Sequence, residues 1–171
     1  IHMPMAQVLL TSTKFSVERR IYNVPGIGTV QKEVVVHPGA VLILPLVDTD
    51  HVAMIRNHRY AVEQELLELP AGTLEPPESP RTCALRELKE ETGYIAGHIE
   101  PLCGFFTTPG FTNEFMHVFV ATELHQGSQD LQDAEQIRVE TVTLEEALAA
   151  TVSGGIIDAK TIAALHVYHY S

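Results

Sequence analysis

The segment from Gly72 to Tyr94 constrains this chain more than any other. It runs Gly72-Thr73-Leu74-Glu75-Pro76-Pro77-Glu78-Ser79-Pro80-Arg81-Thr82-Cys83-Ala84-Leu85-Arg86-Glu87-Leu88-Lys89-Glu90-Glu91-Thr92-Gly93-Tyr94. Ser79 and Pro80 supply a helix N-cap and a first helical residue with a preset φ. Gly93 is placed to close that helix in the left-handed conformation. Leu85 and Leu88, with Ala84, form an apolar back. Glu87, Glu90 and Glu91 fall three and four residues apart, so they share one face, with Arg86 beside Glu90. Like charges on one stripe repel, and a bare helix gains nothing from them. Hard divalent cations such as Mg²⁺ take oxygen ligands and would relieve that repulsion. An arbitrary acidic helix is more often a solvated face; here the surroundings favour the metal platform.

The spacing G-x5-E-x7-R-E-U-x-E-E-x-G-U, with U aliphatic, is met at Gly72, Glu78, Arg86, Glu87, Leu88, Glu90, Glu91 and Gly93. It departs only at Tyr94, a position that packs rather than reacts. On these residues the chain resembles the Nudix hydrolases. The resemblance implies an α/β (mixed α+β) fold, an α/β/α sandwich around a mixed central sheet. It also implies metal-dependent hydrolysis of a nucleoside diphosphate linked to another moiety. Mg²⁺ is the expected metal, with Mn²⁺ as the alternative.

The rest of the chain fits a sheet between helices. Residues 6–37 alternate as antiparallel strands, with candidates at 15–22 and 29–36 joined by Asn23-Val24-Pro25-Gly26-Ile27-Gly28, which has turn chemistry. These give a small N-terminal antiparallel sheet, and Pro38-Gly39 marks a boundary. Residues 1–38 are therefore expected to be a β-strand segment that pairs two copies, and residues 39–171 the Nudix hydrolase domain. Ala40 to Leu46 is a continuous apolar run, hence a central strand. Residues 51–60 are its expected hairpin partner, and 66–69, 102–107, 115–123 and 137–143 further strands. Thr143-Leu144-Glu145-Glu146 is a capping box opening a helix, and Asp158 can cap a last one.

Composition excludes several classes. A net charge of −11 over 171 residues argues against broad nucleic-acid binding. It does not argue against a phosphate substrate, because bound metal ions invert the local field. The chain has 45% apolar residues, enough for a core, and no run long enough to span a bilayer. Ile1-His2-Met3 looks like a cloning remnant, and no signal peptide is evident. Cys83 and Cys103 show neither metal-ligand spacing nor a disulfide framework, so both are expected as free thiols. A cytoplasmic location is the expectation.

The resemblance also distributes roles. Glu87 and Glu91 are the principal metal ligands, Glu90 a third, and the backbone carbonyl of Ala71 or Gly72 a further one. Arg86 orients Glu90 or Glu78, and Glu78 could equally complement the helix dipole. Glu135, in an acidic loop before a strand, is the candidate general base and Asp133 the reserve; a solvated acidic loop is the plain alternative. Pro109, sixteen residues after Gly93, lies within Thr107-Thr108-Pro109-Gly110. That loop resembles the ADP-ribose pyrophosphatase branch, with Thr108 where Ser is common. Leu67 to Gly72 and Val34 to Val41 resemble it too, with Lys32-Glu33 in place of Arg-Glu. The branch implies Arg59 as the diphosphate contact, with Arg56 as fallback, since a guanidinium fork suits phosphate oxygens. Glu68 is expected to bond the nucleobase or a sugar, Glu114 to contact the terminal sugar or close the loop, and Phe111 to line the substrate site. Phe15 to Tyr22 offer a wall for the base from the partner of a homodimer.

The substrate is expected to be ADP-ribose, cleaved to AMP and ribose 5-phosphate, or else a broader range of nucleoside diphosphate sugars. A non-catalytic nucleotide sensor is the alternative of another class, disfavoured because every acidic position of the motif is intact. A zinc protein is weaker still, since His166 and His169 are the only close histidine pair.

Overall fold

In the computed structural model, residues 5–131 and 136–171 are described. The N-terminal sheet has three strands, β1 (Met5–Thr11), β2 (Ser16–Val24) and β3 (Gly28–Val36), in the order β1-β2-β3 and antiparallel throughout. β1 was not foreseen as a separate strand. It leaves Val8, Leu9 and Leu10 between 42% and 57% exposed.

The next strands are β4 (Ala40–Pro45), β5 (His51–Arg59), β6 (Gln64–Glu68) and β7 (Ala71–Thr73). α1 spans Pro80–Thr92 and is followed by β8 (Tyr94–Phe106), β9 (Phe115–Gln126) and β10 (Ile137–Thr143). α2 (Leu144–Ser153) and α3 (Ala159–His169) close the chain. Four strands form a mixed sheet in the order β7-β4-β9-β8, with β4 and β9 parallel. A second sheet runs β10-β5-β6.

β4 holds the centre because all six of its residues are buried. Its side chains alternate between the two faces. Val41 and Ile43 pack with Cys83, Ala84 and Leu88 of α1. Ala40, Leu42 and Leu44 pack with Ala147 of α2 and with Ala164 and Leu165 of α3. Each fully buried Leu or Ile contributes about 1.5–3 kcal/mol, so this one strand ties α1 on one side to α2 and α3 on the other. The expected α/β/α sandwich is what forms.

One expectation fails. Residues 51–59 do not pair along β4; beyond its end, the turn between them closes through the Leu46–Val52 bridge and the Val47 N–H donating to the His51 carbonyl at 2.9 Å. Both edges of β4 are already occupied, by β7 and β9. β5 therefore turns away and pairs with β10 and β6. Both cysteines are free thiols, and burial pushes the Cys83 thiol pKa up, so it stays protonated. No helix among the described residues is long and apolar enough to cross a membrane.

Candidate active site

The site begins with how α1 is held. The Ser79 hydroxyl accepts from the Thr82 N–H at 3.1 Å, Pro80 opens the helix, and Gly93 ends it at φ +76°. Gly93 has a second reason to be glycine. A Cβ there would lie 3.0 Å from the backbone nitrogen of Gln129, whose loop folds back onto the helix end. Gly127 N–H donates to the Gly93 carbonyl at 2.8 Å, Asp130 N–H to that of Glu90 at 3.0 Å, and the Gln129 side-chain amide to that of Glu91 at 2.6 Å. These bonds satisfy carbonyls that the last helical turn leaves without partners.

The apolar back of α1 against β4 turns Glu87 and Glu91 toward β7. Glu91 is 4% exposed, and its Oε2 accepts the Ala71 N–H at 2.9 Å. The Glu87 carboxylate lies directly over Gly72; a Cβ at that position would fall 1.8 Å from it. The glycine of the sequence motif is therefore a space requirement, imposed by a carboxylate fifteen positions later.

Arg86 sits among the acids. Its Nη1 donates to Glu87 at 2.7 Å and to Glu90 at 3.1 Å, and its Nη2 to Glu78 at 2.8 Å. The hydrogen bond from Arg86 outweighs burial and holds the Glu78 pKa at about 2. One guanidinium thus restrains three carboxylates, so Arg86 orients both Glu78 and Glu90.

Arg59 ends β5. Its Nε donates to Glu68 Oε1 at 2.7 Å and its Nη2 to Oε2 at 2.8 Å. Burial works against the Arg59 charge, but the Glu68 hydrogen bond and charge outweigh it, and the net shift is upward. Glu68 is fully buried, and Lys160 donates to the same Oε2. This corrects the reading of Glu68 as a nucleobase or sugar contact: the carboxylate stands behind Arg59 and holds it. Arg56 lies three residues along the strand from Arg59, hence on the other face, and pairs with Glu140 at 2.7 Å. It is not a fallback for the same position.

Two cavities share β7 as a wall. One, of about 780 Å³, is lined by Glu87, Glu91, Asn57, His58, Tyr60 and the N-terminal residues Thr13 and Lys14. The other, of about 550 Å³, is lined by Lys160, Asp158, Thr107, Thr108 and Glu114. Arg59, Ala71, Gly72 and Thr73 line both. Glu114 accepts from the Thr107 hydroxyl at 2.5 Å and approaches His37 Nδ1 at 3.6 Å. Phe111 is 55% exposed, and what it supplies is its carbonyl, which accepts from the Val35 N–H at 2.8 Å and ties the loop to β3. Phe15 and Tyr22 belong to the N-terminal sheet region. Glu135 and Asp133 lie outside the described residues.

Among the described residues, no three acidic, His or Cys side chains converge as a ready-made metal cluster. The donor chemistry on the β7 wall still suits a hard cation. Three carboxylates, Glu75, Glu87 and Glu91, line one cavity with peptide groups, and apart from His58 its candidate donors are oxygens. Sequence reasoning missed Lys160 and Thr161. Asp158 was visible as a cap, but nothing local showed that the turn it caps faces a cavity.

An acidic helix face and a buried-carboxylate-backed arginine, lining one cavity beside a glycine strand in an α/β/α sandwich, define a Nudix-type hydrolase. The Nudix domain model matches residues 36–165, and the chain belongs to the Nudix family. It is 42% identical over 137 residues to an ADP-ribose pyrophosphatase of Bacillus subtilis, covering 79% of this chain and 74% of that protein. It is 32% identical over 167 residues to an ADP-ribose pyrophosphatase of Mycobacterium tuberculosis, covering 96% and 81%. A GDP-mannose pyrophosphatase of Citrobacter koseri is 32% identical over 143 residues, covering 78% and 74%. Among solved structures, an ADP compounds hydrolase superposes with a TM-score of 0.85 at 25% identity, covering 99% of this chain and 94% of that one.

Proposed function

We propose that the chain hydrolyses the pyrophosphate bond of ADP-ribose, with Mg²⁺ or Mn²⁺, to give AMP and ribose 5-phosphate. The observation that carries this reading is the shared β7 wall, which sets Arg59 between the cavity of Glu87 and Glu91 and the cavity of Glu114 and Thr107. A diphosphate crossing β7 would meet the Arg59 guanidinium and leave one arm of the substrate in each cavity.

The chain's own groups divide the work. Arg59 has two of its five N–H donors on Glu68. The others are available to phosphate oxygens. Glu87, Glu91, Glu90 and a carbonyl of Ala71 or Gly72 would hold the metal, with Arg86 keeping Glu90 and Glu78 in place. When bound, Mg²⁺ supplies neutralisation of the diphosphate charge and a lowered pKa for a bound water. Glu135 takes the proton of the attacking water as general base. The oxygen of that water forms a new bond to one phosphorus, the bridging P–O bond breaks, and the other phosphate leaves as a monoester. Glu114 and Thr107, which line the second cavity, would take the sugar hydroxyls.

A broader nucleoside diphosphate sugar hydrolase is the second reading, favoured by the likeness to a GDP-mannose pyrophosphatase. A homodimer paired through residues 6–37 belongs to the same proposal, supported by the exposed apolar residues of β1, as does a cytoplasmic site of action. Product analysis on ADP-ribose with Mg²⁺, beside ADP-glucose and GDP-mannose and with Glu91→Gln as the blank, tests the reading. Release of AMP and ribose 5-phosphate from ADP-ribose alone is expected. Comparable turnover of several sugars moves the conclusion to the second reading, and no turnover overturns both.

A further inference from the structure

We propose that Lys160, on the first turn of α3, joins Arg59 in a two-cation cradle for one phosphate group of the substrate. The proposal rests on the diphosphate reading above and deepens it. Three observations carry it. First, Lys160 and Arg59 both donate to a single atom, Glu68 Oε2. Two cationic nitrogens that share one acceptor atom converge closely enough for a single phosphate group to bridge them.

Second, both cations line the cavity that contains Glu114 and Thr107. Two of the three Lys160 ammonium donors are accounted for by Glu68 and by Asp158 at 2.9 Å. The third is left for the cavity by the arithmetic of an ammonium group. Lys160 is mostly buried, at 17% side-chain exposure, so its head group is desolvated and a charge-assisted bond to it is strong.

Third, the group is tied in place by further hydrogen bonds. Asp158 accepts from the Thr161 hydroxyl at 2.6 Å and from the Thr161 N–H at 3.1 Å, and the same hydroxyl accepts the Leu69 N–H at 2.9 Å. The chain of contacts runs from α3 through β6 to β5. A buried charge network of this kind adds little net stability over apolar packing. Preorganised donors that open onto a cavity are, by contrast, what binding and stabilising an oxyanion demands. The two carboxylates offset the two cations, so the cradle costs no net charge until phosphate arrives.

The test is calorimetric binding of ADP, in the presence of Mg²⁺, to the wild type, Lys160→Met and Lys160→Arg, with adenosine as the ligand lacking phosphate. Lys160→Met leaves Glu68 paired with Arg59 and Asp158 bonded to Thr161, so no buried charge is orphaned. ADP affinity is expected to fall about 10- to 100-fold, the scale of a hydrogen bond to a charged group. Adenosine affinity is expected to hold, and Lys160→Arg to recover most of the loss. With the substrate that the wild type turns over, the same change is expected in KM rather than kcat. Unchanged ADP affinity in Lys160→Met overturns the cradle whatever happens to melting temperature. Equal losses for ADP and adenosine overturn it too, because they mark a general distortion. ADP binding without turnover of any nucleotide sugar would refute the proposed activity alone, whereas no ADP binding by the wild type would end both.

Discussion

Gly72→Ala isolates the site from the fold. An ideal Cβ at residue 72 would lie 1.8 Å from Cδ and from Oε1 of Glu87 and 2.4 Å from its Cγ. Ordinary carbon contacts need about 3.5–4 Å, so the carboxylate must move by roughly 1.7–2.2 Å. The main chain can accept alanine, since Gly72 is not among the glycines with positive φ. Replacing glycine where alanine fits stabilises by about 0.4–1 kcal/mol through the unfolded chain. Against this stands the displaced Glu87, which leaves its rotamer at a cost of about 0.5–1.5 kcal/mol and loosens its 2.7 Å bond to Arg86. These effects nearly cancel, so the melting temperature is expected to stay within about 5 °C of the wild type.

Activity answers to position instead. A displacement of about 1 Å among reacting groups can cost about 10²-fold. kcat/KM is therefore expected to fall about 10²-fold or more, and the Mg²⁺ concentration for half-maximal rate to rise about 10- to 100-fold. Steady-state hydrolysis over a Mg²⁺ titration, run beside a thermal melt, reads both. Activity within threefold of wild type at the wild-type Mg²⁺ optimum would refute the role given to Glu87. A melting temperature lowered by more than about 10 °C would show that Gly72 serves the fold rather than the site.

Other substitutions probe separate links. Glu78→Gln is expected to cost about 1–2 kcal/mol at pH 7 in metal-free buffer, after solvent screening. The Glu78 pKa is depressed from 4.5 to about 2. Its pairing is therefore present in full above pH 4.5, and the gap between wild type and variant should close as pH falls from 4.5 toward 2. Chemical denaturation at several pH values checks this, and a gap that widens on acidification contradicts it. Thr161→Val leaves the buried Leu69 N–H unsatisfied, so a loss of about 1–3 kcal/mol is expected, seen as a melting point about 3–10 °C lower. Glu135→Gln is expected to lower kcat by about 10²-fold or more; a fall of less than tenfold, with Asp133→Asn as the control, removes it as the base.

Much of the site was legible because it is local. The caps of α1, the capping box of α2 and the shared face of Glu87, Glu90 and Glu91 all follow from spacings of three and four residues. Such relations survive without knowledge of the fold, since a helix imposes them wherever it forms. The central place of β4 was legible for a similar reason: six apolar residues in a row can be buried only on both faces.

What tertiary structure alone decided spans long separations. The two edges of β4 were taken by β7 and β9, so β5 could not pair along it. Glu68, which looked available to a substrate, became the buried support of Arg59. Its second partner is Lys160, 92 residues away. No local pattern encodes that meeting, because it requires α3 to pack on β4 and to set its first turn beside β6. A charge is buried only where a partner has been delivered to it, and delivery is the work of the whole fold. The sequence by itself determined which side chains could do chemistry on α1; the packing of distant elements decided which of the remaining charges face the cleft and which stand behind it.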